Sequence, residues 1–123
     1  MAMTMTQSLE DYLEAIYMLI ADGKPAQVRD VAQLLSVKMP SVVKAIRELK
    51  KLELVTQEPY ANIELTAKGS RLARHVLNRH QLIRTFLVKL GVSRKTADKD
   101  ACLMEHILSA ETLDKIRLYT ERK

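Results

Sequence analysis

Three residues near the end of the sequence could together bind a metal ion. Cys102, Glu105 and His106 lie in the segment ACLMEHIL, at positions i, i+3 and i+4. On a helix this spacing places all three on one face within a single turn. A thiolate, a carboxylate and an imidazole suit a borderline transition metal better than Mg²⁺ or Ca²⁺. The alternative is that Cys102 is a small core residue and that Glu105 and His106 form a surface pair.

Two other predicted helices carry further candidate ligands. Asp11 and Glu14 lie one turn apart near the N-terminus, and His80 lies farther along the chain. Taken singly, each has an ordinary explanation, because an acidic residue stabilises the start of a helix and a histidine can be a polar residue of a basic helix. Their occurrence together with Cys102 and Glu105 favours a metal site.

The composition restricts the kind of protein that carries these residues. The chain has 123 residues, 47% of them hydrophobic, with one cysteine and few glycines, prolines and aromatic residues. This favours a mainly helical fold over an all-β sandwich and excludes an internal disulfide. The sequence has no signal-peptide pattern and no apolar run of bilayer length, so we expect a cytoplasmic protein without membrane contact.

The net charge of +5 is unevenly distributed along the chain. Residues 65–97 contain eight Lys or Arg and no Asp or Glu, and residues 38–51 contain five Lys or Arg against Glu48 alone. Such a separation indicates a surface for a polyanion. A solvated basic face on ordinary helices is the alternative.

Hydrophobic periodicity predicts helices and one β-hairpin. The helices are expected at residues 8–21, 27–35, 40–52, 66–90, 93–108 and from 110 onward, and the hairpin at 54–66. Ser8 with Asp11 resembles a capping box, and Thr66 is expected to cap the fourth helix. The first helix should bury a stripe formed by Leu9, Leu13, Ile16 and Ile20, and the third should bury Val42, Val43, Ile46 and Leu49.

The order of these elements is that of a winged helix-turn-helix, with the third helix narrow enough for the major groove of B-DNA. Ser41 and Lys44 are the candidates for base contacts, with Lys38 and Pro40 nearby. The candidates for phosphate contacts are the hairpin together with Arg47, Lys50 and Lys51. We therefore expect a mainly α fold with a small β-hairpin. A helical bundle with a well-solvated third helix is the alternative.

Nearly the whole chain resembles the diphtheria-toxin-repressor family, which includes the manganese transport regulators. The resemblance is carried, in the family's order, by SLEDYLEAIYMLI, VKMPSVVKAIRELKKLELV, IELTAKGSRLA, RHQLI and ACLMEHILS. It implies the short, two-domain form: a winged helix-turn-helix DNA-binding domain over residues 1–72 and metal-binding and dimerisation helices over residues 73–123. A metal bound by ligands from both domains would fix the separation of the two recognition helices of a dimer.

The resemblance also implies a ligand set. Four residues fall on the family's primary metal site: Asp11, Cys102, Glu105 and His106. Two fall on a neighbouring second site, Glu14 and His80. Iron regulators have methionine and cysteine where manganese regulators have aspartate and glutamate, so this chain combines an oxygen ligand of the manganese type with a sulfur ligand of the iron type. The thiolate favours Fe²⁺, Co²⁺, Ni²⁺ or Zn²⁺ over Mn²⁺ by softness, and availability in the cell decides among them. Among physiological inducers we expect Fe²⁺ first and Mn²⁺ second, with Zn²⁺, Co²⁺ or Ni²⁺ able to substitute in vitro.

Two positions depart from the family's pattern. Arg84 stands where relatives have a glutamate one turn after the histidine, and Asp98 stands where the toxin repressor has another histidine ligand. A guanidinium group repels a divalent cation and pairs well with carboxylates. We hypothesise that Arg84 replaces the second metal by bonding to Glu14, Glu105 or Asp98, so that one metal per protomer suffices.

The resemblance thus implies a metal-activated homodimeric repressor of iron or manganese homeostasis genes that binds a palindromic operator in double-stranded DNA. An enzyme is not expected, because the sequence has no separate general-base motif and no glycine-rich phosphate loop. One alternative is a metal-independent winged-helix regulator that senses a small molecule or thiol oxidation through Cys102. Another is an architectural protein that binds any duplex.

Overall fold

The computed structural model describes residues 6–122, apart from the side chain of Gln7. Within this range the chain forms six helices and two short strands: α1 (Gln7–Ala21), α2 (Val28–Leu35), α3 (Met39–Lys51), β1 (Val55–Thr56), β2 (Glu64–Leu65), α4 (Ala67–Lys89), α5 (Arg94–Met104) and α6 (Ala110–Glu121). The predicted fold class, mainly α with a small hairpin, is confirmed. The chain divides into two compact units, Met1–Arg74 and His75–Lys123, so that α4 begins in the first and ends in the second.

The core of the first unit is formed by aliphatic side chains of α1, α2 and α3. They include Leu13, Ile16, Val31, Val42, Ile46 and Leu49, all of which are buried. Two predictions of burial were wrong: Ile20 is 41% exposed and Val43 is 45% exposed. Ile20 lies in the last turn of α1 and lines an open hollow. Val43 lies outside the inward face of α3, where Ala45 is buried instead.

The helix starts are set by local hydrogen bonds. The predicted capping box at Ser8 was wrong, because α1 begins one residue earlier and the hydroxyl of Thr6 accepts the N–H of Leu9 at 3.1 Å. At the start of α2, the N–H of Gln27 donates to the Asp30 carboxylate at 3.1 Å. Pro40 lies in the first turn of α3, as predicted, where its missing N–H needs no partner.

The hairpin is joined to α4 by hydrogen bonds of the Thr66 side chain. Strands β1 and β2 pair antiparallel, with Val55 opposite Leu65. The hydroxyl of Thr66 then donates to the carbonyl of Glu53 at 2.7 Å and accepts the N–H of Gly69 at 3.0 Å. Thr66 thereby caps α4, as predicted, and ties its start to the end of α3. The tip of the hairpin carries Tyr60, which is fully exposed.

In the second unit, α5 ends earlier than predicted. It begins after Ser93, whose hydroxyl accepts the N–H of Thr96 at 3.3 Å, and ends at Met104 instead of Leu108. The reason is a turn in which Ile107 and Leu108 both donate their N–H groups to the carbonyl of Met104. This turn places Ser109 as the N-cap of α6.

The end of α6 is held against the end of α4. Lys89 donates to the carbonyls of Tyr119 and Thr120, at 3.4 and 3.1 Å, and its ammonium lies 5.8 Å from the centre of the Tyr119 ring. Phe86 meets the same ring edge to face at 5.7 Å. A lysine is well suited to the C-terminus of a helix, where carbonyls lack partners and carry the negative end of the dipole. Among the helices described, none has the length and apolar character required to cross a bilayer.

Candidate metal centre and DNA-binding surface

The second unit brings three possible metal ligands together. A ring nitrogen of His80, the sulfur of Cys102 and a carboxylate oxygen of Glu105 all lie within 4.8 Å of one another. His80 comes from α4 and Cys102 from the last turn of α5. Glu105 directly follows α5, with a helical backbone conformation (φ −59°, ψ −23°). The prediction that one helix carries Cys102, Glu105 and His106 was therefore wrong, because α5 ends before the last two.

Glu105 is the buried centre of this group. Its side chain has no exposed surface, and each carboxylate oxygen faces an imidazole: Oε2 lies 3.2 Å from Nδ1 of His80, and Oε1 lies 3.3 Å from Nε2 of His106. A carboxylate held out of water is costly unless positive charge or hydrogen-bond donors compensate it. A cation bound between these groups would provide such compensation.

The second ring nitrogen of His80 faces Asp98. Its Nε2 lies 2.8 Å from Oδ1 of Asp98, and NH1 of Arg84 lies 3.3 Å from the same oxygen. The hydrogen bond with His80 is the main reason that the pKa of Asp98 is lowered, and Arg84 lowers it further. The pairing of Arg84 with Asp98 is one of the three that the sequence hypothesis allowed.

The donor set suits a divalent transition metal. Imidazole nitrogen and thiolate sulfur bind such ions at about 2.0–2.3 Å. Two donor atoms bound to the same ion are then less than about 4.6 Å apart, because each lies at most about 2.3 Å from the ion. The ligand atoms of the three residues lie within 4.8 Å of one another, so they need only small movements to bind one ion. Cys102 is exposed, which leaves its sulfur accessible to an incoming ion. The set contains too few hard oxygen donors for Ca²⁺.

Two of the other predicted ligands lie on the helix expected to carry them, and His106 does not. Asp11 and Glu14 are on α1 in the first unit, and both are partly buried. His106 lies in the turn after α5, with a side chain that is almost wholly buried against Glu105. His80, which the resemblance assigned to a second site, is grouped with Cys102 and Glu105 within the second unit.

The DNA-binding candidates form an exposed basic surface on α3. Lys38 is the N-cap residue of this helix. The side chains of all the predicted contact residues are exposed: Lys38, Pro40, Ser41, Lys44, Arg47, Lys50 and Lys51. Lys51 lies 3.7 Å from Glu48, an exposed pair within the helix. This face is therefore positive and open to solvent.

Two apolar residues of this surface were missed in the sequence. Met39 is 50% exposed and Val43 is 45% exposed, and with Pro40 they line a shallow groove beside Lys44 and Arg47. Their spacing of i and i+4 places them on one side of a helix. That spacing is a signal visible in the sequence, although Val43 was predicted to be buried with Val42, Ile46 and Leu49.

Comparison with protein families gives matches over almost the whole chain. Residues 4–63 match the family model described as iron dependent repressor, N-terminal DNA binding domain. Residues 66–122 match the model described as iron dependent repressor, metal binding and dimerisation domain. The first match contains α1, α2, α3 and β1, and the second contains the residues of the His80–Cys102–Glu105 group.

Individual relatives agree with these matches. An uncharacterised HTH-type transcriptional regulator of Methanocaldococcus jannaschii is 41% identical over 120 residues, which cover 96% of each chain. The transcriptional regulator MntR of Escherichia coli O157:H7 is 40% identical over 114 residues, which cover 93% of this chain and 74% of that protein. The solved structure of the manganese regulator SloR superposes with a TM-score of 0.80 at 29% identity, covering 95% of this chain and 54% of that one.

Proposed function

This chain belongs to the family of iron-dependent repressors, and on that premise we propose which of its residues bind metal and DNA. The protein is a metal-dependent, DNA-binding transcriptional repressor and not an enzyme. Our proposal is that metal ions activate its binding to a specific operator in the cytoplasm and that the controlled genes serve iron or manganese homeostasis. The observation that carries the proposal is the grouping of His80, Cys102 and Glu105 around one buried carboxylate.

The proposed ligands come from both units. His80, Cys102 and Glu105 would supply nitrogen, sulfur and oxygen within the second unit, with His106 beside Glu105. The resemblance adds Asp11 and, for a second site, Glu14; both stay predictions, to be tested by metal titration of their amide variants. A bound ion supplies positive charge to the carboxylates. If Asp11 and the residues of the second unit share one ion, metal would hold the two units in one arrangement. We propose that these units act as the DNA-binding domain, residues 1–72, and the metal-binding and dimerisation domain, residues 73–123.

The physiological metal is proposed from the chemistry of the donors. A thiolate favours Fe²⁺, Co²⁺, Ni²⁺ or Zn²⁺ over Mn²⁺, whereas carboxylates accept Mn²⁺ readily. Of the metals proposed as inducers, Fe²⁺ is placed first and Mn²⁺ second, with Zn²⁺, Co²⁺ and Ni²⁺ as substitutes in vitro.

The proposed DNA contacts follow from the exposure and charge of α3. Ser41 and Lys44 lie near the start of the helix and would reach base edges, with Lys38 and Pro40 beside them. Arg47, Lys50 and Lys51 would contact phosphates. Met39 and Val43 are added as apolar contacts for thymine methyl groups, which project into the major groove. A homodimer would present two such helices to a palindromic operator.

Removal of metal is expected to reduce specific DNA binding at least about 10-fold, within the usual range of coupling between two sites. The measurement is fluorescence anisotropy at fixed salt with duplexes selected from a random library, first with a chelator and then with Fe²⁺ or Mn²⁺ added back without oxygen. By linkage, the selected duplex should raise metal affinity by the same factor. Specific binding that is unchanged by the chelator and by added metal would favour the metal-independent regulator. Equal affinity for all duplexes would favour the architectural protein.

Two lysines of α3 are expected to behave differently when replaced by alanine. Lys44→Ala should weaken binding to the selected duplex about 10-fold and change the preferred bases, because Lys44 is assigned to base edges. Lys50→Ala should lower the affinity for all duplexes by a similar factor and reduce the salt dependence of binding, because Lys50 is assigned to phosphates. Both side chains are exposed, so each variant serves as the other's control for folding. Identical behaviour of the two variants would show that the assignment is wrong.

A further inference from the structure

His80 lies between two carboxylates, and its two ring nitrogens face different partners. Nε2 is 2.8 Å from Oδ1 of Asp98, and Nδ1 is 3.2 Å from Oε2 of Glu105. A neutral imidazole has one N–H group and one nitrogen with a free electron pair, and only the latter can bind a metal. Which nitrogen carries the proton therefore decides whether His80 can act together with Cys102 and Glu105.

The contact with Asp98 favours one of the two tautomers of the neutral His80 ring. Both carboxylates can only accept hydrogen bonds when ionised, but only Nε2 has the geometry to donate one, to Asp98 at 2.8 Å, whereas Nδ1 makes no hydrogen bond within the described part of the chain. The proton therefore belongs on Nε2. The free electron pair then belongs to Nδ1, the nitrogen that faces Glu105. Glu105 lies 3.2 Å from this nitrogen, and Cys102 belongs to the same group of donors, whose ligand atoms lie within 4.8 Å of one another.

Arg84 fixes Asp98 in turn. Its NH1 lies 3.3 Å from Oδ1 of Asp98, the same oxygen that faces His80. The Asp98 side chain is half exposed, so without a partner it could turn toward water. Arg84 and His80 lie one turn apart on α4, whereas Asp98 lies on α5. The three side chains thus form a continuous series that ends at the proposed metal ligands.

We propose that Asp98 is a positioning residue that keeps the proton on Nε2 of His80 and directs Nδ1 toward the metal, and that Arg84 holds Asp98 for this purpose. The inference deepens the proposed function and rests on it. Carboxylates that orient a histidine ligand from its far nitrogen typically change metal affinity 10–100-fold when they are removed. In this chain, two residues at positions of the family's second metal site would instead serve His80.

The test compares Asp98→Asn with Asp100→Asn. Both changes remove one negative charge from an exposed position of α5, but only Asp98 faces His80. Asparagine can turn its amide N–H₂ toward Nε2, which favours the form with the proton on Nδ1. We expect Asp98→Asn to lower the Co²⁺ affinity about 10-fold and Asp100→Asn to leave it unchanged. Affinity is measured by titration of the full chain with Co²⁺ alone, followed through the absorption of the Co²⁺–thiolate bond.

A second readout reports the proton position directly. Nitrogen–proton correlation spectra of the histidine rings, recorded without metal, should show His80 with its proton on Nε2 in the wild type and in Asp100→Asn, but not in Asp98→Asn. Arg84→Gln should cause a smaller loss of Co²⁺ affinity in the same direction as Asp98→Asn; an unchanged affinity would remove Arg84 from the proposal. A wild-type proton on Nδ1, or equal affinity of the two aspartate variants, would overturn the role of Asp98. Failure of the wild type to bind Co²⁺ through its thiolate would overturn the proposed function itself.

Discussion

Glu105→Gln is expected to lower the affinity for Mn²⁺ and Fe²⁺ at least about 100-fold and to remove the metal dependence of DNA binding. Loss of residues that only orient a ligand already costs about 10–100-fold in metal affinity, and Glu105 would supply a ligand atom itself. Glutamine has nearly the same volume but no charge, and its nitrogen cannot bind a metal. Because the two oxygens of Glu105 lie between Nδ1 of His80 and Nε2 of His106, the change affects the centre of the group. Calorimetric titration without oxygen measures the affinity.

The matched control for this variant is Glu121→Gln. Glu121 is exposed on α6 and lies 3.5 Å from Arg117, so the same chemical change is made in the same unit, at a different site. Metal affinity of Glu121→Gln should equal that of the wild type. Glu105→Gln keeps the volume but removes the charge that faces His80 and His106, so the metal-free protein is also expected to lose some thermal stability. If the folded Glu105→Gln variant binds metal as the wild type does, Glu105 is a structural residue and not a ligand.

Gly69→Ala is expected to destabilise the protein by about 3 kcal/mol and to lower the unfolding temperature by about 10 °C. A Cβ atom at position 69 would lie 1.9 Å from the carbonyl oxygen of Leu54 and 2.8 Å from its carbonyl carbon. These are backbone atoms, so no side chain can turn away to make room. The same carbonyl accepts the N–H of Thr66 at 3.1 Å, so moving it would break the connection between the hairpin and α4.

The control is Gly23→Ala, in the same unit. Gly23 has φ of +74°, and a Cβ atom there meets nothing within 4 Å. Its replacement should cost only the strain of a left-handed conformation, about 1 kcal/mol. Chemical denaturation with urea measures both variants. Equal stabilities of Gly69→Ala and Gly23→Ala would show that α4 can move away from Leu54 at little cost.

Gly69 shows the difference between local and tertiary information. Within a helix, alanine is preferred over glycine by about 1 kcal/mol, so the sequence alone predicts that Gly69→Ala stabilises α4. The contact with Leu54 reverses the sign of this effect. Helix propensity depends on neighbouring residues, whereas the space at position 69 depends on a backbone segment that precedes the hairpin.

The sequence by itself determined the order of the elements and the candidate ligands. Apolar residues at helical spacing predicted the helices, and alternation around Pro59 predicted the hairpin, because both periodicities follow from local backbone geometry. Cys102, Glu105 and His106 were identified because their chemical types are visible without a structure. The end of α5 was not predictable in this way, since Ile107 and Leu108 continue the apolar pattern beyond the turn.

Only the tertiary structure decided which groups meet and how they are oriented. It grouped His80 with Cys102 and Glu105, buried Glu105 completely, exposed Val43, and placed Asp98 against the far nitrogen of His80. Each of these results depends on segments distant in sequence that pack against one another. Burial and side-chain orientation are set by what occupies the surrounding space, and no local pattern specifies this.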